Sequence, residues 1–404
     1  MNHNPYIKSN LLYLIGREHQ LFEKEIHTYH NELNTIISSS KFLVLGGAGT
    51  IGLAVTKEIF KRNPKKLHVV DISENNLVEL VRDIRSSFGY SNGDFKTFAL
   101  DIGSIEYDAF IASDGNYDYV LNLSALKHVR SEEDPFTLMR MVNVNILNTE
   151  KTVQQCIENN VKKYFCVSTD KASDPVNMMG ASKRIMELFL MEKSKKINIS
   201  TARFANVAFS DGSLLHSFEQ RFKQQQPIVA PNDIERYFIT PKESGELCLM
   251  SCIFGENNDI FFPKLNTNLQ LVSFANIAVK YIKHLGYEPY LCKDENEARQ
   301  LAKTLPQTGK WPCLFTKTDT TGEKDFEVFF TENETLDIER YNAIGIIKNK
   351  PNTNTKDQHK LFSNEINNLR AKKSWTKADI TQLFHKILPN FNHKETGKYL
   401  DHKM

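Results

Sequence analysis

Seven residues, Gly46-Gly47-Ala48-Gly49-Thr50-Ile51-Gly52, constrain this chain more than any others. They follow a short apolar run, Lys41 to Leu45, that reads as a strand, and they lead into a helical pattern from Leu53 to Arg62. Gly46, Gly49 and Gly52 make the G-x-x-G-x-x-G form of a dinucleotide fingerprint. Glycine there serves the tight turn, the approach of a pyrophosphate to bare backbone, and close helix–sheet packing. The N-terminus of the following helix, at Thr50 and Ile51, offers unpaired N–H groups and a positive dipole end to phosphates. A second apolar strand, Leu67 to Val70, ends in Asp71, 19 residues beyond Gly52, with Ser73 just after it. An acid at that place accepts the ribose hydroxyls and repels a 2′-phosphate, which predicts NAD rather than NADP.

The alternation of strand and helix continues. Phe95 to Leu100 predicts a third strand closing on Asp101-Ile102, the neighbourhood of an adenine. Tyr119 to Leu123 predicts a fourth, running into Ser124-Ala125-Leu126-Lys127-His128-Val129. Small Ser124 and Ala125 allow backbone to lie near a cofactor, while a Lys-His pair in a loop is most often merely solvated. A helix around Asn143 to Cys156 precedes the buried strand Tyr164 to Val167, which delivers Ser168-Thr169-Asp170-Lys171 at its C-terminal end. In open α/β sheets, ligands bind beyond those carboxyl ends. A helix through Met179 and Lys183 to about Lys195 follows, then a strand from Ile199 to Phe204. The pattern predicts an α/β fold, a doubly wound parallel sheet with helices on both faces, joined to a smaller mixed α/β part.

The division predicted is an N-terminal helical extension over 1–40, a dinucleotide-binding domain over 41–205, a substrate-binding part over 206–347 that exchanges segments with it, and a linker with a helical tail over 348–404. In the extension, Phe22, Ile26, Tyr29, Leu33 and Ile36 are spaced for one amphipathic helix, covering either the chain's own core or a second copy in a homo-oligomer. In the substrate part, strands are predicted over Ile260–Phe262 and Glu327–Phe330 and a helix from Ser273 to Leu285. Arg236 suits either a bidentate clamp on a diphosphate or a surface salt bridge. Lys348 to Lys360 reads as a linker, and Ser374 precedes a helix with Ile380, Leu383, Phe384 and Ile387 on one face.

Composition excludes some classes. The formal net charge of +2 over 404 residues gives no reason to expect a nucleic-acid partner. Six cysteines form no CxxC pair, and Cys248 and Cys252, one helical turn apart, lack a His-rich segment to complete a metal site. Reduced structural thiols, no metal and a cytoplasmic location are the expectation. No apolar run approaches the ~20 residues of a membrane span, and Leu11 to Ile15 is too short for a signal peptide.

Taken together, GGAGTIG, SALKHV, STDKA with P-V-N-x-M-G-A-S-K-R, R-F-A-N-V with a later D-G-S, E-R-Y-F-I-T and T-G-E-K span about residues 41–330. In this order they resemble the nucleotide-sugar 4,6-dehydratases of bacterial surface-polysaccharide synthesis, a group of extended short-chain dehydrogenase/reductases. The tail H-K-E-T-G-K-Y-L-D also resembles C-termini of soluble members. The resemblance implies UDP-N-acetylglucosamine as substrate and loss of water from C5–C6, framed by oxidation at C4 and hydride return to C6. Met179 stands where the Tyr of a Tyr-x-x-x-Lys pair is expected, as in the configuration-retaining branch. By the same resemblance Asp170 is the acid and Lys171 the base, and Lys183 holds the nicotinamide ribose. Gly46, Gly49, Thr50, Ile51, Gly52, Asp71, Ser73, Asp101, Ile102, Ser124, Ala125 and Val207 are carried over to the cofactor. Lys127, His128, Asn206, Ser213, Arg236 and Glu323 are carried over to the UDP-sugar. Elimination needs Asp170 protonated and Lys171 neutral, whereas an ion pair favours both charged forms. A thioether has no ionisable hydrogen, so Thr169, a water or Lys171 must relay the C4 hydroxyl proton. A nucleotide-sugar epimerase on the same scaffold and an inactive NAD-binding regulator are the alternatives.

Overall fold

The computed structural model describes residues 5–265, 269–322, 327–349, 355–399 and 404. Its first six strands are β1 (Lys41–Leu45), β2 (Lys66–Asp71), β3 (Asp94–Ala99), β4 (Tyr119–Asn122), β5 (Lys163–Val167) and β6 (Asn198–Ala202). After them come β7 (Asn206–Val207), β8 (Ile228–Pro231), β9 (Glu235–Ile239), β10 (Asp259–Pro263) and β11 (Leu271–Ser273). The last four are β12 (Glu288–Leu291), β13 (Lys310–Thr316), β14 (Thr335–Asp337) and β15 (Ile344–Lys348). Nine of them form one sheet in the order β14-β15-β10-β6-β5-β4-β1-β2-β3. From β3 to β10 every pairing is parallel, and β15 and β14 close that edge antiparallel. All five residues of β5 are buried, as expected for a parallel strand with helices packed on both faces. Strand order reverses between β1 and β4, so a crevice opens beyond their carboxyl ends. Two three-stranded sheets, β7-β9-β11 and β8-β13-β12, form the smaller part.

The extension departs from the predicted single helix. It forms three, Pro5–Leu14, Glu23–Thr28 and His30–Ser38, with the break at Tyr29. Phe22, Leu33 and Ile37 are buried in the main core while Ile36 is half-buried, since Leu33 and Ile37, four residues apart on one helix, share its inner face. Arg17 anchors the extension by two buried bonds of 2.7 and 2.6 Å to Glu243, whose carboxylate also accepts the Leu21 N–H.

Three further expectations are corrected. The helix around Asn143 is interrupted by a π-type turn, Asn143–Leu147, between Pro135–Val142 and Asn148–Glu158. Glu327 to Phe330 is not a strand, for side chains claim its backbone: the Phe329 carbonyl accepts from Arg203 Nη1 at 2.8 Å and the Val328 carbonyl from Ser173. The polar stretch read as a linker contains the start of a helix, Thr355–Lys372, whose Phe362 and Ile366 are buried. That helix and Lys377–Ile387, capped by Thr376 rather than Ser374, pack on the helix Met178–Lys193. Among the described residues no helix is long and apolar enough to cross a membrane.

Candidate active site

The glycine turn has the shape its motif requires. Gly46 has φ +70°, and a Cβ there would stand 2.7 Å from the Ser124 nitrogen. A Cβ on Gly52 would strike the Gly46 carbonyl, whereas one on Gly49 would meet only that carbonyl, at 3.7 Å. Open space thus lies at the N-terminus of the helix Thr50–Phe60, where N–H groups are unpaired by construction. The Asp71 carboxylate, at the end of β2, accepts from Ala48 N at 3.0 Å and Ser73 N at 2.9 Å, so it is fixed against the turn. Asp101 accepts from Gly103 N at 2.8 Å, and the neighbouring Ile102 is buried. Ser124 N donates to Asn122 Oδ1 at 3.1 Å, which holds the Ser124–Ala125 backbone beside Gly46. Ile51 and Val207 put their side chains into the main core. Thr50 and Asp211 exchange two hydrogen bonds of 3.1 and 3.0 Å, linking the turn to the Asp211-Gly212-Ser213 loop.

At the end of β5 the chain enters a short 3₁₀ turn, Asp170–Ala172, capped by Thr169. Asp170 is 1% exposed. Its Oδ1 accepts from Thr169 Oγ1 at 2.7 Å, and Lys171 Nζ lies 3.3 and 3.4 Å from its two oxygens. Glu327 comes up on the same ammonium, with Oε1 at 3.9 Å from Lys171 Nζ. That oxygen also accepts from Asn206 Nδ2 at 2.6 Å and lies 3.5 Å from Arg236 Nε, while Oε2 accepts from Tyr237 N at 2.9 Å. Burial and the negative charge of Asp170 push the Glu327 carboxyl up to about 7, against the pull of Lys171, the Tyr237 N–H and Arg236. Arg236 is itself buried, so the alternative of a surface salt bridge is replaced by a buried one.

Met179 and Lys183 share the helix Met178–Lys193, capped by Asn177, which accepts from Gly180 N at 2.8 Å. Met179 is buried among apolar neighbours that include Met139, Met178 and Ile185. Lys183 Nζ donates to the Val167 carbonyl at 3.1 Å, and burial lowers its pKa. Asn145, in the π-type turn, accepts from Leu126 N at 2.9 Å and donates to the Leu126 carbonyl and to Ser182 Oγ at 3.0 and 2.9 Å. The turn thereby ties the Ser124–His128 loop to the helix of Lys183, in line with the frequent placement of such turns at functional sites. Beneath the strand end, Ser168 Oγ donates to Glu187 at 2.7 Å, and Arg203 pairs Glu187 through two bonds of 2.8 and 2.7 Å.

Asn206 and Arg236 therefore meet the Asp170–Lys171 cluster, through Glu327. Lys127 lies apart from it: its side chain is accessible, yet protein crowds the ammonium, which donates to Ser210 Oγ at 3.3 Å. That crowding lowers its pKa, with Asp211 opposing. His128 stands beside Gly212, and Ser213 caps the helix Leu214–Lys223. Glu323 lies outside the described residues. The reading of the residues missed Glu327, Asn145 and Asn177. Glu327 carried a signal, as an acid directly ahead of the apolar Val328-Phe329-Phe330, but that pattern also reads as the start of a strand. The loop before it is gripped by the C-terminal tail, since Thr321 N donates to the Lys398 carbonyl and Gly322 N to the Lys394 carbonyl at 2.8 and 2.9 Å. Asn177 Nδ2 donates to the Gly322 carbonyl at 2.9 Å from the other side.

Comparison with known proteins agrees with this architecture. The uncharacterized membrane protein MJ1061 of Methanocaldococcus jannaschii is 28% identical over 355 residues, 83% of this chain and 96% of that protein. The capsular polysaccharide biosynthesis protein CapD of Staphylococcus aureus is 26% identical over 249 residues, 60% of this chain and 41% of its own length. Among solved structures, Pen from Bacillus thuringiensis superposes with a TM-score of 0.62 at 22% identity, covering 87% of this chain and 98% of Pen. At that identity the likeness is one of fold. A family model described as polysaccharide biosynthesis protein matches residues 42–349, and the chain belongs to that family.

Proposed function

We propose that the chain is an NAD-dependent UDP-N-acetylglucosamine 4,6-dehydratase acting in surface-glycan biosynthesis. The observation that carries this reading is the convergence of Thr169, Asp170 and Lys171 at the end of β5, on the crevice side of the glycine turn, with a thioether at position 179. An epimerase working at C4 has no use for an acid aimed at a C6 hydroxyl, whereas a dehydratase needs a carboxyl and an amine side by side.

The residues present fit the cofactor. Space at Gly49 and the N–H groups at the start of the helix Thr50–Phe60 suit a pyrophosphate, the fixed Asp71 carboxylate suits ribose hydroxyls, and Lys183 suits the second ribose. The chemistry NAD supplies when bound is hydride removal from C4 and hydride return to C6. The protein's own part is proton handling. The 4-ketone acidifies C5, the Lys171 amine removes the C5 proton, and the Asp170 carboxyl protonates the departing C6 hydroxyl. At 3.3 Å the two groups pass a proton directly, so the arrangement after elimination is the ordinary ion pair and returning the proton resets it. Thr169 holds the Asp170 oxygen that faces Lys171. Lys127, His128 and Ser213 on the rim and Asn206 and Arg236 beside Glu327 are the proposed contacts for the UDP-sugar, with Glu323 joining them by resemblance.

Incubation of the purified protein with UDP-N-acetylglucosamine and mass measurement of the product tests the reading. Loss of one water is the expected result. A product of unchanged mass with an inverted centre would replace it with the epimerase reading, and no turnover by NAD-loaded protein would replace it with the regulator.

A further inference from the structure

The dehydration proposed above moves more protons than the Asp170–Lys171 pair can hold, and this inference rests on that reading. Oxidation at C4 releases the O4 proton, and elimination releases the C5 proton. One proton then leaves with the C6 hydroxyl as water and one returns to C5. Between oxidation and elimination Asp170 must still carry its proton and Lys171 must still be an amine, so the O4 proton has to rest on a third group. Met179 cannot take it, and Thr169 already donates its hydroxyl hydrogen to Asp170.

Glu327 is placed for the task. It is buried, 3.9 Å across from Lys171 Nζ, and held in position by Asn206 and by the Tyr237 N–H. We propose that Glu327 stores the C4 hydroxyl proton, which reaches it through Lys171, in place of the tyrosine this site lacks. The O4–H bond breaks and Lys171 Nζ takes that proton; across the 3.9 Å to Glu327 Oε1 one bridging water, or a small turn of the Lys171 side chain, carries a proton on, and Lys171 is an amine again. Elimination then leaves Asp170 ionised, Lys171 protonated and Glu327 protonated. Lys171 reprotonates C5, and the Glu327 proton passes back through Lys171 to Asp170. The cycle closes with one water lost and every residue in its starting state.

Among the described residues, the charged groups facing Glu327 are Asp170 and Lys171 from the turn after β5 and Arg236 from β9. Burial first, and then the negative charge of Asp170, raise its carboxyl to about 7 against the pull of Lys171, the Tyr237 N–H and Arg236, and near neutrality a group serves both to accept and to release a proton.

Two variants test this. Glu327→Gln keeps the shape but cannot store a proton and gives up one of the two bonds accepted from Asn206 and the Tyr237 N–H, and Glu327→Asp keeps the acid and both acceptors on a shorter stem. Single-turnover formation of reduced cofactor isolates the C4 step. It should fall by ~10²-fold in Glu327→Gln and recover in part in Glu327→Asp. The parent rate should decline as pH drops below about 7, and the residual rate of the Gln variant should show no such limb. In substrate-free protein, a carboxyl infrared band titrating near neutrality should be present in the parent and missing from Glu327→Gln. The proposal is overturned if the Gln variant oxidises C4 at the parental rate, keeps the limb or keeps the band, or if both variants lose rate equally. If the parent yields no dehydrated product, the functional reading fails, and the infrared band still decides whether Glu327 stores a proton.

Discussion

Replacing Glu187 by Gln should destabilise the fold by about 3 kcal/mol at neutral pH, and the loss should disappear in acid. Burial alone would raise the Glu187 carboxyl, but the Arg203 guanidinium on both of its oxygens, with Arg184 and Ser168 beside it, holds it down at about 2 against an ordinary 4.5. At about 1.4 kcal/mol for each tenfold change in proton affinity, that depression is worth about 3 kcal/mol once both states are ionised. Removing one partner of a buried pair typically costs about 3–5 kcal/mol, because the other charge is stranded. Arg203 retains Glu334 at 3.0 and 3.1 Å, which places the expected value at the low end. Since the folded-state value is depressed, the contribution is complete above 4.5 and is lost as pH falls towards about 2. Urea unfolding of parent and variant, at neutral pH and at steps through the acid range, gives both free energies, and the slope should not change. Equal stabilities at neutral pH, or an offset that persists unaltered through that acid range, would refute the reasoning. The pair also supports the site directly, for Ser168 adjoins Thr169 and Arg203 holds the Phe329 carbonyl two residues from Glu327.

NAD should bind far better than NADP, as the fixed Asp71 carboxylate repels a 2′-phosphate; a fluorescence titration in which NADP binds as tightly would remove Asp71 from its role. Gly180→Ala should cut dehydration by ~10²-fold, because the new Cβ would stand 2.5 Å from the Lys171 carbonyl and displace the acid–base turn; steady-state rates beside unchanged NAD binding check it. Met179→Tyr should slow the C4 step rather than speed it, since a ring forced into a packed apolar site costs about 1–3 kcal/mol in fit; faster single-turnover reduction of the cofactor would show that Met179 is a defect.

The order of the strands through β6 was legible because each states itself locally. Apolar runs bounded by glycine or by acids mark the strands, and the glycine turn with Asp71 is a pattern contained within 30 residues. Legibility failed where tertiary partners overrode local pattern. Val328-Phe329-Phe330 has strand chemistry, yet Arg203 and Ser173 take its carbonyls and Phe329 packs against Phe262 instead. Phe22 to Ile36 has helical spacing, yet the chain breaks at Tyr29, and Ile37 rather than Ile36 is buried with Leu33. The polar composition of the stretch before Phe362 hides a helix that docks first through polar side chains, His359 lying against Phe189 and Glu150, and only then through Phe362 and Ile366.

The site divides along the same line. Thr169, Asp170 and Lys171 have a signature because a strand end and one tight turn present all three together. The residues that surround them do not, for Asn206, Arg236 and Glu327 come from three segments after β6 and meet through hydrogen bonds that span 121 and 90 positions. Each of the three is ordinary by itself: an amide in a short strand, a cation beside a glutamate, an acid before an apolar run. Their effect arises from proximity. A carboxyl buried against both Asp170 and Lys171, as Glu327 is, cannot keep the protonation it would have in water. What no local pattern carried was therefore the membership of Glu327 together with its protonation, and in a chain with Met179 where a tyrosine was expected, the proposed handling of the C4 proton turns on that one buried carboxyl.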